Sequence, residues 1–196
     1  MSMLRVNGDR LWSALMEIGE IGGTPGGGCR RLALSEEDGR ARDLFRKWAE
    51  EAGCSVTVDG IGNIFARREG TDHAAAPVAI GSHLDTVPTG GKFDGVYGVM
   101  AGLEVLRRLR DLDLQTRLPI EVIAWTNEEG ARFSPMTMGS SVFTGDMTLD
   151  FALSRRDPSG LSVAEALKRI GYAGNMAVGG RPFTAYLEVH VEQGPL

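Results

Sequence analysis

Apolar stripes with helical spacing alternate with short apolar runs of strand length along this chain. In Asp9 to Ile21 (DRLWSALMEIGEI), Leu11, Leu15 and Ile18 share one helical face, and Asp9 is placed to cap it. Ser35 opens an S-E-E-D spacing typical of a capping box. The helix it starts should run to about Ala52, with Leu44, Phe45 and Trp48 as its buried stripe and Gly53 as its stop. Cys54 to Asp59 alternates like a half-exposed strand, Gly60 marks a turn, and Ile61 to Arg67 returns, which predicts a hairpin. Pro77 to Ser82 is short and apolar, the pattern of a central strand buried on both faces. Gly95 to Leu109 reads as a helix whose small residues Gly98, Ala101 and Gly102 allow close packing on a sheet. Leu118 to Thr126 (LPIEVIAWT) is a second buried strand. Loop and short helix are expected from Phe133 to Met147. An amphipathic helix should follow from Ser162 to Ile170, and an alternating strand, TAYLEVHV, from Thr184 to Val191. Strand, helix, strand in that order argues for a βαβ unit in an α/β sheet, with functional residues at the carboxyl ends of the strands.

Composition narrows the classes. With 196 residues the chain is long enough for one domain with its own core, and 42% hydrophobic and 24% charged residues are ordinary for a globular protein. A net charge of −5 and dispersed basic residues give no reason to expect nucleic acid. No apolar run is long enough to span a bilayer, and MSMLRVNGDRLW lacks a signal-peptide core, so a cytoplasmic location is expected. Cys29 and Cys54 have no CxxC spacing and are expected to be reduced. Gly22 to Gly28 cannot be regular structure; it reads either as a mobile loop near a site or as a plain connector. His73 sits in a polar loop and is set aside as a surface residue.

The chemistry concentrates in VAIGSHLDTVPTGGKFDGVYGVMAGLEVL, residues 78–106. His83, Asp85 and Asp94 cluster where the strand gives way to a glycine-rich loop, a donor set suited to a divalent metal. Asp85 is placed to accept from the second nitrogen of His83 and fix its ring. Asp94 could bridge two metals, which in such pairs lie roughly 3.5–4 Å apart. Glu128 and Glu129 follow the second strand; adjacent side chains point apart, so one can bind metal while the other takes a proton from bound water. His190 completes a first set of His83, Asp94 and His190, and a second would hold Asp94 and Glu129.

Three segments, SHLDTVPTGGKFDGVYGVMAGLEVL, TNEEGARFSPMTMGSSVFTGD and YLEVHVEQGPL, resemble the zinc-dependent amidohydrolases of the N-carbamoyl-L-amino-acid hydrolase, β-ureidopropionase and allantoate amidohydrolase group. That group sits within the wider co-catalytic metallopeptidases. The resemblance extends over nearly the whole chain, TPGGGCRRLALSEEDGRARDLFRKWAEEAGC and IGNIFAR included. It implies a three-layer αβα sandwich with a mixed, mainly parallel sheet. It implies two divalent ions, zinc first and manganese, cobalt or nickel as the other choices. His83, Asp94 and His190 would hold one ion, and Asp94 with Glu129 the other. Glu128 would be the general base, Asp85 the residue orienting His83, and Gln193 a contact to the substrate's carbamoyl or amide group. The Asp94–Gly95 bond would be cis. The implied substrate is an N-carbamoyl amino acid or a related ureido compound, with ammonia, carbon dioxide and the free amine as products. Allantoate hydrolysis, peptidase activity and an inactive truncated homologue are the alternatives.

Relatives of that type are about twice this length and dimeric, with an inserted lid and dimerisation domain. By that measure residues 1–196 are the amino-terminal part of the catalytic domain. The arginine that grips the substrate carboxylate and the last metal-binding histidine have no counterpart here. The chain is then expected to be a piece of a longer protein, a truncated product, or a fragment working with a second chain.

Overall fold

The structure, a computed structural model, describes residues 4–192. Helix α1 (Gly8–Gly19) is capped by Asn7, whose side chain accepts from the Arg10 N–H; the cap expected at Asp9 lies two positions earlier. Asn7 wins because its own N–H is held by Glu104, which fixes the chain at the cap. Helix α2 (Glu36–Glu51) starts at Ser35 as expected. The return bond of the capping box is missing, because the Asp38 carboxylate is taken by Leu34 N–H and Arg42. Strands β1 (Ser55–Val58) and β2 (Ile64–Arg68) form the expected antiparallel hairpin. Strand β3 (Val78–His83), helix α3 (Val96–Asp111) and strand β4 (Ile120–Trp125) make the βαβ unit, with β3 and β4 parallel. Short helices α4 (Met138–Thr144), α5 (Leu149–Ser154) and α6 (Val163–Arg169) follow, and α6 carries a complete capping box between Ser162 and Glu165.

The sheet is α/β and mixed, in the order β1-β2-β4-β3-β5. Its pairings divide evenly: β1–β2 and β2–β4 are antiparallel, while β3–β4 and β3–β5 are parallel. Strand β5 is shorter than its sequence pattern predicts. It spans Ala185–Leu187 against β3, and His190 lies beyond its end. Only β3 flanks β5 among the described residues, so nothing extends the ladder further.

Buried side chains of all six helices join Ala66, Val122 and Ala124 in one large core. The opposite face carries a small cluster, Phe65, Ala79, Ile123 and Trp125, covered by Phe143, Met176 and Phe183. Helix α3 lies close to the sheet because Gly102 leaves no room for more: a Cβ there would come within 3.0 Å of Ile80 and Val122. Cys29 and Cys54 are buried free thiols, and His73 is exposed beside Glu69. Among the described residues no helix is long and apolar enough to cross a membrane.

The β1–β2 turn is tied to the rest by a buried pair. Asp59 accepts from the N–H of Ile61, the N–H of Asn63 and the Asn63 side-chain amide. Asn63 in turn donates to Gly139 O and accepts from Thr126 N–H, so its amide cannot rotate. Asp59→Asn would put one NH₂ against another in a closed space. Urea unfolding should show a loss of about 1–3 kcal/mol, the cost of a buried unsatisfied donor; an unchanged midpoint would contradict this arrangement.

Candidate metal centre

The carboxyl ends of β3 and β4 open side by side, and the loops that leave them carry the site. His83 is the last residue of β3 and is almost wholly buried. Its Nδ1 lies 2.8 Å from the backbone carbonyl of Asp85, while the Asp85 carboxylate is 4.0 Å away. The orienting role expected of the Asp85 side chain therefore falls to its main chain. The carboxylate is used otherwise: one oxygen accepts from Glu128 N–H and the other from Glu129 N–H, each at 3.2 Å. Asp85 thus holds the two glutamates in place from below.

His190 comes in from beyond β5. Its Nε2 lies 3.5 Å from Nε2 of His83 and 3.3 Å from Asp94 Oδ1. Glu128 Oε2 lies 3.4 Å from His83 Nε2. His83, Asp94 and His190 each offer a ligand atom, all within 4.8 Å of one another. The structure therefore brings together the first expected donor set. Glu129 stands outside that set, and its Oε1 is buried without a hydrogen-bond partner. Gln193 lies outside the described residues.

Tautomers decide what this cluster can hold. A carbonyl oxygen only accepts, so the Nδ1 of His83, on Asp85 O, and the Nδ1 of His190, on Val191 O, must each carry the proton. With both rings neutral, both Nε2 lone pairs face the same point, flanked by the carboxylates of Asp94 and Glu128. Lone pairs and anions at this distance repel unless a cation lies between them. Two imidazole nitrogens and a carboxylate suit zinc, manganese, cobalt or nickel.

Local backbone geometry explains how Asp94 reaches the cluster. The expected cis bond at Asp94–Gly95 is not present; among the described residues the cis peptide is Ser134–Pro135. Instead Gly95 turns the chain at φ 64, tight against the His83 ring, where any Cβ would overlap the imidazole. The residues that follow the glycine-rich segment pack on the loop of the site. Cys29 N–H donates to Gly90 O, Thr86 N–H donates to Arg31 O, and the buried Arg31 guanidinium donates to Leu84 O. They prop the loop that carries Asp85. Neither Arg31 nor Asn127 is marked as a site residue by any sequence motif, yet both shape the loops around the cluster. A cleft of about 430 Å³ adjoins Glu128, walled by Trp125, Ser140, Phe143, Phe183 and Tyr186.

The profile of peptidase family M20/M25/M40 matches residues 79–196, which takes in every residue of this cluster. The chain belongs to peptidase family M20/M25/M40. An N-carbamoyl-L-amino-acid amidohydrolase of Rhizobium meliloti is 55% identical over 192 residues, 98% of this chain and 46% of that protein. A ureidoglycolate hydrolase of Oryza sativa is 33% identical over 198 residues, 97% of this chain and 41% of that protein. Among solved structures, an amidase of the hydantoinase/carbamoylase family from Burkholderia multivorans superposes with a TM-score of 0.97 at 55% identity, covering 98% of this chain and 47% of that one. The chain spans somewhat less than half the length of the curated relatives named here.

In this M20/M25/M40 chain two acids beside the cluster, Glu129 and Asp85, hold protons unusually well. Burial pushes the Glu129 carboxyl up to about 7; His83 pulls the other way, while the charges of Asp94, Asp85 and Glu128 add to the rise. Burial likewise raises Asp85 to about 6. For His83, burial acts downward, but the Asp85 and Glu128 carboxylates outweigh it and leave the ring raised. Below about pH 7 a cation entering the site must therefore displace protons. Apparent cation affinity is expected to climb from pH 5.5 to about pH 7 and then level. Calorimetry at pH 6 in two buffers of different ionisation enthalpy should register proton release; identical heats in both would rule it out.

Proposed function

We propose that this chain carries the metal-binding part of an amidohydrolase that cleaves linear amide C–N bonds, removing the carbamoyl group from N-carbamoyl amino acids. The carrying observation is the pair of histidines whose Nδ1 atoms lie on main-chain carbonyls and whose Nε2 atoms face each other at 3.5 Å beside Asp94. On this reading residues 1–196 are the amino-terminal part of a catalytic domain. His83, Asp94 and His190 hold one divalent ion, and Glu129, with its unpartnered buried oxygen, helps hold a second with Asp94. Such ions supply Lewis acidity to a carbonyl and acidify water when bound.

The protein's own groups do the rest. Glu128 is part-exposed, with Oε2 at the rim of the cluster. Its carboxylate takes a proton from the attacking water and returns it to the departing nitrogen. Water adds to the ureido carbonyl carbon, the C–N bond breaks, and amine, ammonia and carbon dioxide account for all atoms. Asp85 keeps Glu128 and Glu129 in register through their N–H groups. The cleft beside Glu128 has room for the body of such a substrate. Gln193 is the proposed contact to the carbamoyl group.

Carbamoyl amino acids and ureidoglycolate share the H₂N–CO–NH–CH–COO⁻ core. The 55% identity to the carbamoyl amidohydrolase against 33% to the ureidoglycolate hydrolase favours the first as substrate. The test is bound metal per chain by elemental mass spectrometry after dialysis, followed by ammonia release from a panel of carbamoyl amino acids, ureidoglycolate and allantoate. Metal retained by the parent and lost in His83→Ala supports the centre. Equal metal in both, or no ammonia from any ureido substrate when the rest of the catalytic domain is supplied and metal is bound, would sink the reading.

A further inference from the structure

Two consecutive N–H groups meet one carboxylate at Asp85, and an extended strand cannot supply them. Along a strand, successive N–H groups point to opposite edges. They converge on one anion only where a residue leaves the extended region and forms a backbone concavity. Glu128, between the two amides, sets how they converge, and Asn127 before it, the second residue after β4 and at φ 51, turns the chain off the strand and aims the pair. The left-handed region is costly for most side chains, and asparagine is among the few that tolerate it. Asn127 is fully buried. Its Nδ2 donates to Phe133 O at 2.7 Å and to Pro135 O at 3.2 Å, and its own carbonyl accepts from Met138 N–H at 3.1 Å. The same residue therefore turns the chain and fastens the far side of the loop, where Thr137 N–H closes onto Glu128 O.

The geometry points to Asn127 as the positioning residue that turns the chain after β4, so that Glu128 and Glu129 present both N–H groups to Asp85 and Glu128 presents its carboxylate to His83. It touches neither cation nor substrate. Its bearing on turnover rests on the amidohydrolase reading, but its effect on the two amides does not.

Asn127→Gly and Asn127→Ala both delete the bonds to Phe133 and Pro135, and differ in the cost of the left-handed φ. Amide hydrogen exchange of Glu128 and Glu129, followed by NMR at a temperature where each variant is folded, separates them. Exchange in Asn127→Ala is expected to run about fivefold to thirtyfold faster than in Asn127→Gly, the ratio set by that cost. Manganese affinity should fall in the same order. Equal exchange in the two variants, or parent-like protection in Asn127→Ala, overturns the assignment. In the parent chain a strong intraresidue Hα–HN NOE at Asn127 is expected, and a weak one overturns it without any substitution. If the exchange order holds while even the parent binds no manganese, the amidohydrolase reading falls and the positioning role stands.

Discussion

On the amidohydrolase reading proposed above, Glu128→Gln in a protein that includes the rest of the catalytic domain should abolish nearly all ammonia release while leaving bound metal unchanged. The substitution keeps the size of the side chain and leaves the main-chain N–H on Asp85, so the scaffold of the site is intact. What goes is the ability to accept a proton from water and return it to nitrogen. A positioned general base contributes about a hundredfold to ten-thousandfold, and the loss should fall in kcat with KM little altered. Metal content by elemental mass spectrometry is the control, because Glu128 lies outside the His83, Asp94 and His190 set. Activity within a few fold of the parent would remove Glu128 from the proton-transfer role. Loss of metal along with activity would instead make it a ligand.

The largest stability change is expected at Asp38. Asp38 and Arg42 are each at most 1% exposed and pair at 2.8 Å, one turn apart on α2. Arg42 also donates to Gly62 O at 2.7 Å and to Thr126 Oγ1 at 3.3 Å, and its guanidinium lies over the Tyr172 ring. The pair therefore joins α2 to the hairpin turn and to the end of β4, one residue before Asn127. Asp38→Ala leaves a guanidinium in the interior without its counter-ion and strips Leu34 N–H of its acceptor. Breaking a buried pair from one side costs about 3–5 kcal/mol, a large share of the stability of a domain this size. Urea unfolding of Asp38→Ala, Arg42→Met and the double variant would show it. The double variant should recover part of the loss, since no uncompensated charge remains. A double variant as unstable as the sum of the two would mean that the charges do not interact.

Elements with a strong period were legible before any coordinates. The βαβ unit from β3 to β4 follows from two uninterrupted apolar runs around a helix with small residues on its sheet side. The nearness of His83 to Glu128 and Glu129 followed too, because strand ends in such a unit meet in space. Other features turn on competition that a linear pattern does not show. Asn7 outcompetes Asp9 as a cap because Glu104, far along the chain, holds its N–H. The Asp38 carboxylate abandons the capping box for Arg42. Alternation from Thr184 to Val191 predicts a long strand, but only Ala185–Leu187 pairs with β3, and alternation cannot count the neighbours a strand will have. The Asp85 carboxylate was expected on His83 because the spacing suits it; the main-chain carbonyl is nearer, which frees the carboxylate for the two glutamate amides. The turn at Asn127 has no sequence marker, since asparagine after a strand fits many loops.

His190 sits past the end of an exposed three-residue strand, whereas His83 is buried at the end of an interior strand. A cation shared by the two would close a loop of 107 residues and act as a removable cross-link between a buried and an exposed part of the molecule. The melting temperature of the chain then becomes a function of free cation concentration, rising with each decade of excess over the dissociation constant. Chelation loosens first the segment that carries His190, so a protease would find that segment before any other strand.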